Sequence, residues 1–278
     1  MAVHPGSLPA PAGDSARPPQ WPAWYAPVAF VVAFAASLFA FVVIGAFGAA
    51  LGANVDDPGP TLTVIGTVVQ DVMLVVVAVF FAARVARPRL WQFGLRPARF
   101  WKTVGLSLGA LFTYYAFVGI YSALVKPHGE QTVTQDLGAN NGTARMVLAG
   151  ILVIVIAPVA EEIFFRGFFY KALRSRFGIA SAALIDGAVF GVIHYTGSGT
   201  LEILPILAAL GFIFCLLYER TGTLFSTIAL HAINNTIAYA ASTDGATGFS
   251  IALGAVMVAA CMIVPRYLGR GTPAAVPT

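Results

Sequence analysis

The sequence predicts an all-α fold, a polytopic bundle of about eight transmembrane helices with both termini in the cytoplasm. Three observations support this prediction: an apolar composition, a series of apolar runs of membrane-spanning length, and a one-sided distribution of Lys and Arg. Of the 278 residues, 58% are hydrophobic and only 10% are charged, and the mean hydropathy is +0.82. Soluble domains have about 25% charged residues, so this composition excludes an ordinary soluble protein.

The apolar runs divide the chain into one helical domain between two tails. Each run is close to the ~20 residues that an α-helix needs to cross the hydrocarbon core. We predict spans at about 24–51, 61–83, 103–125, 146–170, 179–197, 202–218, 223–241 and 249–265. Residues 1–22 and 269–278 lack an apolar period and are predicted to be disordered tails. The transmembrane domain is then residues 23–268, with its chemical core at about 146–240.

Lys and Arg are concentrated on one side of the predicted membrane. If the N-terminus is cytoplasmic, thirteen of the sixteen fall in inner segments, Lys126 and Arg145 fall in outer segments, and Arg166 lies within the fourth span. This bias is the one that the positive-inside rule predicts when both termini lie inside the cell. The basic charge therefore reports topology, and we expect no nucleic acid partner. We expect a multi-pass protein of the bacterial plasma membrane.

Polar groups inside three of the predicted spans indicate chemistry. Glu161 and Glu162 lie in the fourth span, His194 in the fifth, and His231 and Asn235 in the seventh. An ionisable side chain at bilayer depth costs several kcal/mol or more, so its presence there suggests a function. Carboxylate, imidazole and amide groups from three helices can together activate water. They predict a hydrolase that works inside the membrane.

The spacing within the fourth span separates two tasks. Glu162 and Arg166 are four residues apart, so they share a helix face and are expected to form an ion pair. Glu161 points about 100° away from Glu162, which leaves it available for catalysis. Asp186, in the fifth span, is expected either to pair with Arg166 or to support the site indirectly.

The histidine motifs have the same four-residue spacing. Phe190 and His194 share one face of the fifth span, and His231 and Asn235 share one face of the seventh. If the fourth and fifth spans form a hairpin that turns near Gly178, Glu161 and His194 both lie about 25 Å from the turn. The two groups are therefore expected at the same depth.

These three motifs carry a family resemblance. The run E-E-x-x-x-R at 161–166, F-x-x-x-H at 190–194 and H-x-x-x-N at 231–235 resembles the CPBP family of intramembrane endopeptidases. This family includes the type II CAAX prenyl endopeptidases and the bacterial abortive-infection and bacteriocin-processing proteins. The stretch 218–224 is also similar to the family's, and the resemblance covers about 146–240.

The resemblance implies a glutamate-dependent peptide hydrolase without a cofactor. Glu161 would act as general base on a water, with His194 holding that water, and His231 and Asn235 would donate hydrogen bonds to the oxyanion. Supporting positions would be Glu162, Arg166 and Phe190. The implied substrate is a membrane-associated peptide, either prenylated and CAAX-type or otherwise lipid-linked or bacteriocin-like. Its site is expected to open toward the cytosol.

Other functions remain open from the sequence. Glu161, His194 and His231 are also a carboxylate-and-two-imidazole set of the kind that binds catalytic zinc, although no H-E-x-x-H motif is present. A non-catalytic membrane immunity or scaffold protein could share the fold. A proton-coupled transporter would need polar groups along a path and inverted repeats, whereas these groups cluster and no repeat is evident. A structural role is expected for Asp71 in the second span.

Overall fold

The computed structural model describes residues 21–50, 52, 59–128 and 132–268, and these residues form helices and connecting turns without a strand. The long helices of this described part are α1 (Tyr25–Ala50), α2 (Gly59–Ala83), α3 (Phe100–Val125), α4 (Thr143–Arg174), α5 (Ile179–Val192), α6 (Leu204–Thr221), α7 (Leu224–Ser242) and α8 (Thr247–Leu268). Three short helical segments lie between them, at Leu90–Phe93, Val133–Asp136 and Ser198–Ile203. The predicted all-α membrane fold is confirmed.

The number of spans differs from the prediction. Each of the eight predicted spans corresponds to a helix, but six segments of the described residues are long and apolar enough to cross a membrane. The exceptions are α5, which has 14 residues, and α7, which has 19 but is too polar. These two helices pack against α6, α8 and α4. The helix α5 is apolar and exposes Leu184 and Val192, so it falls short by length alone. Most of α7 is covered by its neighbours, so it can carry polar side chains.

The predicted tails lie almost entirely outside the described residues. Trp21, which was assigned to the N-terminal tail, is instead buried, with its ring 5.3 Å from that of Phe93 and 5.1 Å from that of Phe168. The ordered structure thus includes Trp21.

The helix α4 contains two wide π-helical stretches, at Leu152–Ile156 and Ile163–Phe169. Proline has no N–H for residue i−4 and its ring crowds that carbonyl, so Pro158 disturbs the ladder at the first stretch. There the Ala157 N–H bonds to the carbonyl of Leu152, five residues back. Such π turns are frequent at functional sites. The segment between the two stretches, Ala157–Glu162, carries the glutamate pair.

Glycines set the close contact between α5 and α6. A Cβ at Gly187 would lie 2.6 Å from the carbonyl oxygen of Ala208, and one at Gly191 would lie 2.9 Å from that of Leu204. No larger residue fits without moving the backbone of α6. Small residues allow this kind of close packing in membrane bundles. The contact fixes α5, and with it Phe190 and His194, against the core.

The bundle has two chemically different ends. We call one the basic face, where Arg96 donates to Gly222 O at 2.7 Å, Arg174 pairs with Glu219 at 3.1 Å, and Lys171 donates to Gln92 O. We call the other the distal face. It is formed by the turns at 126–128, 137–142, 193–203 and 243–246, with the helix Val133–Asp136, and is joined by bonds such as Tyr121 Oη to Glu202 O at 2.8 Å.

Candidate active site

A cavity of about 770 Å³ lies in the middle of the bundle, a volume typical of ligand pockets. Its walls come from α2, α3, α4, α5, α6 and α7, and from the helix Val133–Asp136. The proposed catalytic set from the sequence lines this one cavity: Glu161, His194, His231 and Asn235, together with Phe190. The structure therefore brings together groups that lie up to 74 positions apart in the chain.

The carboxylate of Glu161 faces this cavity from α4. Glu161 is 8% exposed, and its Oε2 lies 3.8 Å from Nε2 of His231. Among the described residues, this buried oxygen has no hydrogen-bond partner. Buried polar atoms are normally paired, so an unpaired carboxylate oxygen at a cavity wall is suited to bind water or a substrate group.

The second glutamate, Glu162, points into protein. Its Oε1 accepts hydrogen bonds from Arg166 Nη1 at 2.7 Å and from His231 Nδ1 at 3.1 Å, and its side chain is 0% exposed. Because a carboxylate paired with Arg only accepts, the proton of His231 lies on Nδ1. Its Nε2 is thereby turned toward Glu161. Glu162 thus connects α4 to α7, a contact that its pairing with Arg166 did not predict.

The guanidinium of Arg166 is enclosed by partners. Its Nη2 donates to Gly211 O at 3.0 Å and lies 3.5 Å from Asp186 Oδ1. Its Cζ lies 4.4 Å from the ring centroid of Phe190 and 5.1 Å from that of Phe214, within cation–π range. Asp186 therefore lies beside Arg166, one of the two positions considered from the sequence.

The position of His194 differs from the prediction. The predicted span continued to residue 197, but α5 ends at Val192 and His194 lies in the following turn. The last carbonyls of a helix lack intrahelical partners. The Nδ1 of His194 lies 2.7 Å from one of them, Phe190 O, and since a carbonyl only accepts, Nδ1 carries the proton. The Nε2 of neutral His194 is therefore an acceptor at the cavity.

The amide of Asn235 is partly engaged. Its Nδ2 donates to Val153 O at 2.8 Å, in the first π-helical stretch of α4. Its Oδ1 accepts from Asn234 Nδ2 at 3.3 Å. An amide nitrogen has two N–H groups, so one remains available after the bond to Val153.

Several polar groups of the cavity were not assigned to the site from the sequence. Asp71 is 3% exposed, lines the cavity, and has one buried oxygen without a hydrogen-bond partner among the described residues. It lies close enough to Glu161 for an electrostatic interaction. A carboxyl group within an apolar span could have indicated that Asp71 belongs to the site, but a structural role was expected for it. Other such lining residues are Gln70, Tyr114, Thr134 and Asn234.

No three His, Cys, Asp or Glu side chains among the described residues are arranged to hold one metal ion. Glu161, His194 and His231 line one cavity without forming such a group. The chemistry offered by the described site is that of an unpaired carboxylate, two oriented imidazoles and an amide.

Comparison with known proteins points to peptidases. Residues 143–237 match the family model described as Type II CAAX prenyl endopeptidase Rce1-like. A Bacillus subtilis (strain 168) protein named "Putative membrane peptidase YdiL" is 34% identical over 82 residues, which are 30% of this chain and 32% of that protein. "Uncharacterized protein YyaK" of the same organism is 25% identical over 140 residues, 49% of this chain and 46% of that protein.

The matched stretches thus span about a third to a half of these relatives' lengths. No solved structure matches the chain. The family match covers each of the three motifs and all four cavity-lining groups that carry the resemblance. It confirms the resemblance seen in the sequence: residues 143–237 of this integral membrane protein are similar to the Rce1-like type II CAAX prenyl endopeptidases.

Proposed function

We propose that this chain is an intramembrane endopeptidase that hydrolyses a peptide bond with a water activated by Glu161. The observation that carries the proposal is the unpaired carboxylate oxygen of Glu161 in the cavity, 3.8 Å from Nε2 of His231. His194 lines the same cavity with an Nε2 that can accept a hydrogen bond. This combination suits a water held between a base and a second acceptor.

The reaction proceeds by addition and elimination. Glu161 takes a proton from the water while the oxygen of that water bonds to the carbonyl carbon of the scissile peptide. The carbonyl oxygen becomes an oxyanion, which the remaining N–H of Asn235 stabilises. The carbon–nitrogen bond then breaks, and the leaving amine receives the proton from Glu161. Donors placed in advance for an oxyanion are typically worth about 3–4 kcal/mol of transition-state energy.

The role of His231 depends on its second nitrogen. Its Nδ1 proton is donated to Glu162, so it can donate to the oxyanion only when Nε2 is protonated as well. Glu161, once it holds the proton from the water, lies 3.8 Å from that nitrogen, and a shift of the two side chains to hydrogen-bond distance would let them share the proton. Glu162 and Arg166 support the site by orienting this imidazole.

The substrate that the family suggests is a membrane-associated or lipidated peptide, prenylated and CAAX-type or bacteriocin-like, in a bacterial plasma membrane. The cytosolic opening of the site and the cytosolic position of the basic face, both expected from the sequence, disagree. The cavity reaches the distal face, while the positive-inside rule assigns the basic face to the cytosol. Both expectations cannot hold together.

The test is cleavage of quenched-fluorescent peptides by the purified protein in detergent. The peptides are a farnesylated CAAX peptide and an unprenylated peptide amidated at its C-terminus, each with and without a strong chelator. Glu161→Gln should lose activity by about 10²–10⁴-fold. The matched control is Glu202→Gln, because Glu202 is an exposed carboxylate outside the cavity.

Each outcome separates one alternative. Full activity in Glu161→Gln would rule out glutamate catalysis. Loss of wild-type activity with the chelator, restored by zinc, would establish the zinc-dependent alternative. An inactive wild type against both peptides and against a membrane proteome would favour the non-catalytic immunity or scaffold alternative.

A further inference from the structure

The cavity extends from Glu161 in one direction only. On α4 it is lined by Leu152, Val153, Ala157 and Glu161, all on the distal side of Glu162. The same holds for the other helices that end at the distal face. The lining residues of α7 run from His231 to Ser242, and those of the first turns of α6 run from Ile206 to Leu210, with Ile203 just before that helix. Val133, Thr134 and Gln135 complete the wall at that face.

Toward the basic face the cavity is closed by packed side chains. The turn of α4 that follows the glutamates carries Phe165 and Arg166, and both are 0% exposed. The rings of Phe190 and Phe214, also 0% exposed, pack on the guanidinium of Arg166. None of the described residues at 84–103 or 170–178, which belong to the basic face, lines the cavity.

The distribution of Lys and Arg indicates which face of the bundle lies on the cytoplasmic side of the membrane. The described residues of the basic face include Arg84, Arg87, Lys102, Arg174 and Arg266, whereas the distal face has Lys126 and Arg145. Excess Lys and Arg marks the cytoplasmic side of a membrane protein. The distal face is therefore extracytoplasmic.

We propose that the peptide substrate reaches Glu161 from the extracytoplasmic side of the membrane, and that it is uncharged or cationic near the scissile bond. The proposal rests on the proposed endopeptidase function. It replaces the cytosolic opening expected from the sequence, because the cavity and the basic face lie at opposite ends.

The charge preference follows from the cavity wall. Among the described residues, the wall carries the carboxylates Glu161 and Asp71 and no Lys or Arg. As the base, Glu161 must be ionised before reaction, so the site is negative when it receives the peptide. A free C-terminal carboxylate three residues beyond the scissile bond, as in a CAAX protein, meets no basic side chain there and is repelled.

The side of access is tested by cysteine labelling, which does not depend on activity. Thr196→Cys places a thiol at the exposed distal rim of the cavity, and Arg176→Cys places one at the exposed basic face. The native Cys215 and Cys261 are buried, so the unmodified chain is the blank. In intact cells, a membrane-impermeant maleimide should label Thr196→Cys and spare Arg176→Cys until the membrane is opened. The reverse pattern would overturn the proposal.

The charge preference is tested with two peptides of one sequence that differ only in a free or an amidated C-terminus three residues after the cleaved bond. We expect wild-type kcat/KM to favour the amidated peptide by about tenfold or more. Glu202→Gln, which changes an exposed carboxylate outside the cavity, should leave this ratio unchanged.

The outcomes distinguish this proposal from the function on which it rests. Equal wild-type cleavage of the two peptides contradicts the charge preference. Cleavage of neither peptide nor of a membrane proteome, with extracytoplasmic labelling of Thr196→Cys, argues against the endopeptidase function and leaves the side of access supported.

Discussion

The Nδ1 of His231 lies 3.1 Å from Oε1 of Glu162, and the same oxygen accepts from Arg166 at 2.7 Å. One carboxylate oxygen therefore joins the ion pair of α4 to the imidazole of α7. In this position Glu162 sets the orientation of His231 without facing the cavity, while its neighbour Glu161 does face it. The adjacent glutamates have different partners because successive residues of a helix point about 100° apart.

Replacement of Glu162 should destabilise the protein strongly. Glu162→Gln leaves the Arg166 guanidinium buried without its closest counter-ion, and breaking a buried pair costs about 3–5 kcal/mol. Gly211 O and Asp186 remain near Arg166, so we expect the lower end of that range. Thermal unfolding in detergent would measure the change.

The matched control for this change is Glu219→Gln. Glu219 also pairs with an arginine, Arg174, but the two side chains are 26% and 30% exposed. Exposed pairs contribute about 0–1 kcal/mol. Equal losses of Tm in the two variants would contradict the proposed importance of burial.

Mutation should separate the roles of the two ring nitrogens of His194, which are bonding to Phe190 O by Nδ1 and accepting a hydrogen bond at the cavity by Nε2. Asn places its amide near the Nδ1 position and Gln places its amide near the Nε2 position of the imidazole. His194→Asn should therefore keep the bond to Phe190 O but lose peptide cleavage, while His194→Gln should retain part of kcat. Single-turnover cleavage of the amidated peptide measures both. Higher activity in the Asn variant would mean that His194 serves to cap α5.

Asn235 should matter more for kcat than for KM. Asn235→Ala removes the N–H available to the oxyanion, and loss of one such donor typically costs about 10²–10³-fold in kcat. Gln70→Ala is the paired control, since Gln70 also lines the cavity but lies on α2, away from the Asn234–Asn235 hydrogen bond. An equal loss of kcat in both variants would argue against the oxyanion role.

The packing of α5 on α6 should be sensitive to a single methyl group. Gly187→Ala places a Cβ 2.6 Å from the backbone oxygen of Ala208, and overpacking of this kind costs about 1–3 kcal/mol. Gly109→Ala on α3 is the control, because nothing lies within 4 Å of its added Cβ. We expect a lower Tm and reduced cleavage for the first variant only. An unchanged Tm for Gly187→Ala would show that α5 can move away from α6 without cost.

Peptide cleavage should withstand metal removal. The described residues provide no three-ligand group for a metal ion, so we expect unchanged kcat after treatment with a strong chelator. Loss of kcat that zinc restores, with a stoichiometric amount of bound zinc measured in the active protein, would contradict the water-only mechanism.

Much of the fold followed from patterns that are local in the chain. Apolar runs predict helices because the backbone must satisfy its own hydrogen bonds in lipid, and every predicted span corresponds to a helix. Two of these helices, α5 and α7, fall short of the length or the hydropathy of a membrane span. Hydropathy alone cannot show that neighbouring helices cover most of α7, where polar side chains are therefore tolerated.

The motif spacing determined that Glu162 and Arg166 share a face and that Glu161 points elsewhere. It could not determine that His231 bonds to Glu162, that His194 follows the end of α5, or that Asp71 reaches the cavity, because these relations join different helices. The end of the bundle that the cavity reaches was likewise decided only by the tertiary structure. Each long helix runs from one face of the bundle to the other. Only the packing shows that the aromatic side chains around Arg166 close the cavity toward the basic face.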